Sequence, residues 1–121
     1  RDFAFLGPES EWAAQASRCA GDQNAFWQYH DYLFTHQRGE NQGTFSEKHL
    51  KEFAVALKLD MAKFNSCLDK ETYRDQVQKD LDLGRSLGVD GTPATFVNDK
   101  FFNGALPFEP FKAAIEAELA K

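Results

Sequence analysis

The sequence of 121 residues lacks the features that mark several large classes of protein. No apolar run approaches the roughly 18–20 residues that cross a bilayer, so no membrane span is predicted. Acidic residues, 19 in number, exceed the 14 lysines and arginines, which gives a formal net charge of -5. No basic cluster is interleaved with aromatic residues, and a phosphate backbone requires a basic surface. We therefore predict that the protein binds no nucleic acid.

Cysteine and histidine are also scarce. The two cysteines, Cys19 and Cys67, belong to no C-x-x-C motif, and the three histidines lack the spacing of metal ligands. A glycine-rich phosphate loop and a G-x-S-x-G motif are absent. We predict no metal site and no cofactor. From the residues alone, three interpretations of Cys19 and Cys67 stay open: buried free thiols, a structural disulfide, or a redox-active pair.

The first residues, "RDFAFLGPES", show neither an initial methionine nor a signal peptide. We therefore expect a processed product or a fragment of a longer protein. The length and the 42% hydrophobic content suit a single domain with one core. Twelve phenylalanines indicate that this core is rich in aromatic residues.

A short strand and two helices are predicted in the first 37 residues. "DFAFL" (2–6) is apolar and aromatic, and Gly7-Pro8 ends it. The spacing of apolar residues then predicts a helix over 9–20 and a second helix that Asp22 caps. Four aromatic residues of these helices could line a hydrophobic substrate groove or belong to the core: Trp12, Trp27, Tyr29 and Phe34. We favour the core, because apolar residues at helical spacing usually form the buried face of a helix.

Three further helices and a hairpin follow. Ser46 and Asp60 are placed to cap helices over 46–58 and 60–69, and Gly88 is placed to end a helix over 71–87. "ATFVNDKFFNG" predicts two strands joined by a two-residue turn at Asn98-Asp99. A final amphipathic helix carries an apolar stripe of Phe108, Phe111, Ile115 and Leu119. The helices of 9–87 are predicted to form a subdomain inserted beside the sheet.

The step from Thr92 to Pro93 stands at the start of the hairpin. An X-Pro bond is the one place where a cis peptide costs little, and a cis bond would turn the backbone of Thr92 outward. Its N–H and C=O groups could then pair with an extended peptide. The alternative is that Pro93 simply begins a strand after a turn, because proline fits the first position of a strand.

The order of strand, helical insert, hairpin and terminal helix is that of the C-terminal part of a thioredoxin fold. Three segments resemble the DsbA-like thioredoxin family of thiol–disulfide oxidoreductases: "RDFAFLGPESEWAAQASRCAGDQNAFWQYHDYLF", "FNSCLD" and "GVDGTPATFVNDKFFNGALPFEPFKAAI". The resemblance covers nearly the whole chain. It implies an α/β thioredoxin-like fold over residues 1–121, with an incomplete sheet, an inserted helical subdomain at 9–87, and the hairpin and terminal helix at 88–121.

The resemblance also implies a site and a substrate class. Pro93 matches the family's cis-proline, and Thr92 matches the preceding residue that lines the active site. Cys19 and Cys67 match positions that pair with each other in some relatives, which indicates a structural disulfide and an oxidising compartment. The expected substrates are cysteine-containing or unfolded polypeptides, usually outside the cytoplasm.

One departure from the family is large. Its redox C-x-x-C lies upstream of the strand that matches 2–6, and the present sequence contains no such motif. By itself the chain is expected to be inactive in thiol–disulfide exchange. Without a central strand, the strand edges would be open to self-association. Two alternatives are a non-catalytic peptide-binding module and a relative of the kappa-type glutathione transferases and isomerases.

Overall fold

A computed structural model describes all 121 residues as six helices and two strands. This content agrees with the α/β fold class predicted above. None of the helices is long and apolar enough to cross a membrane. In chain order the elements are α1 (Pro8–Gly21), α2 (Phe26–Thr35), α3 (Glu47–Ala56), α4 (Met61–Asp69), α5 (Arg74–Ser86), β1 (Ala94–Val97), β2 (Lys100–Asn103) and α6 (Phe108–Leu119).

The chain divides into two compact units rather than one core. Unit 1 comprises Arg1–Leu81 and unit 2 comprises Asp82–Lys121. The boundary therefore falls within α5, and not at the end of the helical insert predicted at 9–87. Unit 1 holds the first four helices, and unit 2 holds the hairpin and α6.

Helix starts in unit 1 follow from local capping. The Ser46 side chain accepts a hydrogen bond from the backbone N–H of His49, and the Asp60 side chain accepts one from Lys63. Each bond satisfies one of the amide groups that a helix leaves unpaired in its first turn. The predicted starts of α3 and α4 are confirmed.

The core of unit 1 lies among the first four helices. Tyr29 is fully buried against the ring of Phe64, and its hydroxyl donates to the backbone carbonyl of Leu50 at 2.9 Å. Burial raises the pKa of the Tyr29 hydroxyl, so it stays a donor at physiological pH. The ten buried residues of this core are Ala16, Cys19, Ala20, Ala25, Tyr29, Leu33, Leu50, Ala54, Phe64 and Leu68.

Two expectations for α2 are wrong. Trp27 and Phe34 are 68% and 74% exposed, because α2 packs against its neighbours through the narrower stripe of Tyr29 and Leu33. Trp12 is also partly exposed, so only Tyr29 of the four aromatic residues lies in the core. Asp22 does not cap α2, which begins after Ala25 without a side-chain cap.

The prediction of a strand at 2–6 is also wrong. The sheet contains only β1 and β2, and no hydrogen-bond ladder includes residues 2–6. The only backbone bond within this segment runs from the Phe5 N–H to the Phe3 carbonyl. An apolar segment becomes a strand only when a neighbour supplies its hydrogen bonds, and no part of this chain does so. Ala4 instead packs with Ala14 and Val77 in a second small cluster.

Unit 2 begins with a sharp helix end. Gly88 adopts a φ of 84°, and the N–H groups of Gly88 and Val89 donate to the carbonyls of Arg85 and Gly84. This is the paired hydrogen-bond pattern of a glycine-terminated helix, as predicted. β1 and β2 then form an antiparallel hairpin in which Val97 opposes Lys100 across the predicted turn.

The apolar stripe of α6 is only partly covered. Phe111 packs against Phe102 of β2 with ring centroids 4.8 Å apart, and Ala114 is buried. Phe108 and Leu119 are 70% and 81% exposed, and Ile115 is exposed as well. Two short strands offer too little surface to cover a helix of 12 residues.

Candidate functional site

The segment from Thr92 to Pro93 leads into β1. The peptide bond between them is cis, and both residues are exposed. The backbone N–H of Gly104 donates to the Pro93 carbonyl at 2.9 Å, so Pro93 extends the hairpin pairing by one residue. No hydrogen bond within the chain involves the main-chain groups of Thr92.

The register of the hairpin decides which main-chain groups of β1 are free. Antiparallel partners alternate between pairs that exchange hydrogen bonds and pairs that do not. Because Pro93 and Gly104 are bonded partners, Thr95 with Phe102 and Val97 with Lys100 are the next bonded pairs. The N–H and C=O groups of Ala94 and Phe96 therefore point away from β2. Together with Thr92 they form an unpaired row, which we name the β1 edge (Thr92, Ala94 and Phe96).

Neighbouring side chains hold the β1 edge in place. Phe96 stacks on Phe101 of β2 at 4.8 Å between ring centroids. At the turn, the side-chain amide of Asn98 donates to the Glu118 carboxylate at 2.7 Å, which ties the hairpin to α6. The Lys121 ammonium and this amide bond lower the pKa of Glu118, so the carboxylate stays ionised and accepting. Contacts with α6 and between the two strands therefore hold the hairpin in place within unit 2.

The second set of predicted residues is a disulfide between Cys19 of α1 and Cys67 of α4. Their Cα atoms lie 5.8 Å apart, within the usual range for a bridge. Cys19 is 1% exposed and Cys67 is half-buried. The bridge therefore joins two core helices.

Asp22 lies beside this bridge. Its carboxylate is 3.9 Å from the Cys67 sulfur and accepts a short hydrogen bond from the Tyr73 hydroxyl. This hydrogen bond raises the pKa of Tyr73. Negative charge so close to the sulfur opposes the approach of a thiolate, which suits a structural bridge.

The predicted residues thus form two separate pairs. Thr92 and Pro93 lie in unit 2, whereas Cys19 and Cys67 lie in unit 1. No group of three His, Cys, Asp or Glu side chains is arranged so that it could hold a metal ion.

A charge cluster that surrounds the buried Asp80 in unit 1 was not indicated by the sequence. Arg18 of α1 donates to Asp2 at 2.7 Å and to Asp80 of α5 at 2.5 Å, and Arg1 lies 3.7 Å from the same Asp80. Asp80 is 4% exposed, so its charge requires these partners. The available signal was its position three residues after Val77, on the apolar face of α5.

A pocket in unit 1 was also missed. It has a volume of about 300 Å³ and lies between the first residues of the chain, α1, α2 and the loop that follows α2. Glu9 lines it, is 9% exposed, and has one carboxylate oxygen that is inaccessible to solvent and without a hydrogen-bond partner. The sequence shows Glu9 only as an acidic residue in the first turn of a helix, which is common and gives no sign of a pocket.

Comparison with known proteins decides the family. A sequence model described as thioredoxin matches residues 1–117. The chain belongs to the thioredoxin family. The relatives of this thioredoxin-family chain include Disulfide bond formation protein D of Bacillus subtilis, which is 34% identical over 118 residues, 95% of this chain and 53% of the relative. Thiol:disulfide interchange protein DsbA of Bordetella parapertussis is 33% identical over 72 residues, 60% of this chain and 34% of the relative.

The names of these two relatives describe disulfide formation and thiol:disulfide interchange, and the fold of the thioredoxin-family chain is α/β and thioredoxin-like, as predicted. Another relative, Na(+)/H(+) antiporter NhaA 1 of Salinispora arenicola, is 34% identical over 113 residues, 93% of this chain but 17% of the relative. The thioredoxin-family chain spans about half the length of Disulfide bond formation protein D and smaller shares of the other two.

Proposed function

We propose that this chain is the helical and C-terminal part of a thiol–disulfide oxidoreductase that acts on cysteine-containing polypeptides. Its role is to hold the substrate, with Thr92 and Pro93 at the point of contact. The observation that carries the proposal is the β1 edge, an exposed row of unpaired main-chain groups at the start of a supported hairpin. The thioredoxin family and the likeness to a relative named Disulfide bond formation protein D support the proposed reaction class.

The β1 edge suits an extended polypeptide. Main-chain N–H and C=O groups that point outward from a strand pair readily with a further strand. Such pairing involves main-chain groups and does not depend on particular side chains. It therefore suits a protein that must accept many different cysteine-containing chains. The exposed side chains of Thr92 and Phe96 flank the row and can contact side chains of the added strand.

The exchange chemistry needs a thiolate that attacks a disulfide sulfur, forms a mixed disulfide, and is displaced when a second thiol resolves it. Within residues 1–121 both cysteines are bonded to each other, and no free cysteine is present. We therefore propose that these 121 residues bind substrate without exchanging its disulfides.

The disulfide also bears on location. Bridges persist in oxidising compartments and are rare in the cytosol. Cys19 and Cys67 are bonded in this structure, and both belong to the fold of unit 1. We propose an extracytoplasmic location, periplasmic or secreted.

Amide hydrogen exchange tests the binding proposal. A cysteine-containing peptide is added to the isotope-labelled chain, and exchange is followed by NMR. Bound peptide should slow exchange at the amides of the β1 edge. The amides of Thr95 and Val97 already bond to β2 and should change little. Slowing confined to other residues would contradict the proposal.

A matched pair of variants sharpens this test. Phe96→Pro removes one outward N–H without removing a bond to β2, so peptide binding should weaken about tenfold, as expected when one hydrogen bond is lost and a ring obstructs the edge. Phe101→Pro makes the same change on the outer edge of β2; it loses the ring that stacks on Phe96 but no outward N–H of β1, so it should weaken binding much less. Phe96→Ala controls for the lost phenyl ring. Equal effects of the two proline variants would refute a role for the β1 edge.

The non-catalytic peptide-binding module remains the second candidate, because no C-x-x-C occurs in the sequence. It predicts that the complete product of the source gene binds peptides but does not change their disulfides. Glutathione conjugation by that product would instead favour the kappa-type transferase alternative.

A further inference from the structure

The pocket of unit 1 combines apolar walls with acidic charge. Phenylalanine and leucine side chains form much of its lining, among them Phe3, Phe26, Leu33 and Phe34. Its volume of about 300 Å³ lies at the lower end of the range in which proteins bind small ligands or single side chains. An apolar pocket of this kind would accept a hydrocarbon group on volume alone.

The charges in the lining are what distinguish this pocket. Three carboxylates line it, those of Asp2, Glu9 and Glu40, and no lysine or arginine does. Asp2 already bonds to Arg18, but no cation of the chain lies within ion-pair distance of Glu9 or Glu40. The lining therefore carries net negative charge, which favours a positively charged ligand.

Glu9 gives the clearest sign of a missing partner. The residue is 9% exposed, and its Oε2 atom has neither solvent contact nor a hydrogen-bond donor. A buried carboxylate oxygen without a donor costs free energy that a bound ammonium or guanidinium would recover. This unpaired atom is a second observation, independent of the shape and charge of the pocket.

The aromatic wall is also suited to a cation. Phe26, His30 and Phe34 lie along one side of α2, with ring centroids 6.2 Å apart for Phe26 and His30 and 4.7 Å apart for His30 and Phe34. All three line the pocket, and Phe34 is 74% exposed at its rim. The faces of aromatic rings attract lysine and arginine side chains, most strongly where water is partly excluded.

We infer that this pocket binds a lysine or arginine side chain that is flanked by apolar residues in a polypeptide. The hydrocarbon stem of such a side chain lies against the apolar wall, and its charged end reaches Glu9. This inference rests on the proposed action on polypeptides, and it names the class of segment that unit 1 selects. It assigns to α1 and α2 a recognition role that is separate from the β1 edge.

The test uses two cysteine-free peptides, so its outcome does not depend on disulfide chemistry. One is the acetylated and amidated hexapeptide Gly-Leu-Phe-Lys-Leu-Gly. The other carries norleucine in place of lysine, which keeps the four-carbon chain and removes the ammonium group. Binding of each to the purified 121-residue chain is measured by NMR titration. We expect shifts at pocket residues and about tenfold tighter binding of the lysine peptide, with the difference reduced by added salt.

Matched variants identify the groups responsible. Glu9→Gln keeps the shape of the side chain and should remove most of the lysine preference. Glu11→Gln lies on the same helix turn, is exposed, and should change nothing. Phe34→Ala should weaken both peptides, whereas Phe108→Ala, at an exposed phenylalanine of unit 2, should weaken neither. Circular dichroism checks that each variant keeps its helices.

Several results would overturn the inference. Equal affinity for the two peptides, or an unchanged preference in Glu9→Gln, would show that Glu9 does not recognise a cation. Self-association that Phe34→Ala abolishes would assign the pocket to a second copy of the chain. Binding by the 121 residues that is lost in the complete gene product would assign the pocket to other residues of that product. If the lysine peptide binds the pocket as expected but no peptide protects the amides of the β1 edge, the pocket inference holds and only the proposed substrate contact at Thr92 is refuted.

Discussion

The disulfide between Cys19 and Cys67 should supply a large share of the stability of unit 1. It joins residues 48 positions apart, and closing a loop of that length in the unfolded chain corresponds to about 4 kcal/mol in the chain-entropy model. Small domains are stable by only about 5–15 kcal/mol in total. Reduction should therefore bring unit 1 close to unfolding.

Urea unfolding with and without reductant measures this effect. Both tryptophans, Trp12 and Trp27, lie in unit 1, so their fluorescence reports on that unit alone. With an m-value of about 1–2 kcal/mol/M, the midpoint should fall by about 2–4 M when the bridge is reduced. Far-UV circular dichroism follows the helices in parallel.

A double variant separates loop entropy from packing. Cys19→Ala with Cys67→Ala loses the same loop constraint as the reduced protein and, in addition, the sulfur contacts of the buried Cys19. It should be less stable than the reduced protein by about 1 kcal/mol. If reduction changes the free energy of unfolding by less than about 1 kcal/mol, the assignment of a structural role to the bridge is refuted.

Three further predictions concern substitutions of single residues. Tyr29→Phe should cost about 1–2 kcal/mol in urea unfolding, because a buried backbone carbonyl of α3 loses its hydroxyl donor. Since burial raises the pKa of Tyr29 above its ordinary value of 10.0, the wild-type advantage should be full below that pH and lost as the pH rises through the higher folded value. Gly88→Ala should lower thermal stability by about 1 kcal/mol, because its φ of 84° is unfavourable for alanine even though nothing lies within 4 Å of the new methyl group. Lys51→Met should raise the pKa of Asp69, measured by NMR, because the Lys51 hydrogen bond is the main cause of its lowered value.

Each of these has its own control or contradicting result. Gly91→Ala, at a glycine without a positive φ and with open space around it, should be neutral or slightly stabilising, and an equal loss at both glycines would contradict the backbone argument. A Tyr29→Phe variant as stable as the wild type at pH 7 would show that the Tyr29 hydrogen bond does not contribute to stability. An unchanged Asp69 pKa in the Lys51 variant would show that this ion pair does not persist in solution.

Features set by a few neighbouring residues were predictable from the sequence. The serine and aspartate caps of α3 and α4, the end of α5 at Gly88 and the turn at Asn98-Asp99 all depend on local hydrogen bonds or on one backbone angle. The structure contains each of them within a few residues of the predicted position. The pairing of Cys19 with Cys67 was expected from the family resemblance, since spacing alone left it open.

Features set by distant parts of the chain were not predictable. The segment at 2–6 has the composition of a strand, but it lacks a partner that would supply hydrogen bonds. Trp27 and Phe34 sit at plausible core positions of α2, yet the helices that pack against α2 leave them exposed. The partnerless carboxylate of Glu9 follows from how α1 packs against its surroundings, which helix periodicity does not reveal.

The proposed function is tested by a thiol–disulfide exchange assay on the complete product of the source gene. The rate at which it oxidises or reduces a cysteine-containing polypeptide is compared with the rate for residues 1–121 alone. We expect catalysed exchange by the complete product and binding without exchange by the 121 residues. A complete product that binds the polypeptide but never alters its disulfides would contradict the proposed oxidoreductase function and favour a non-catalytic binding module.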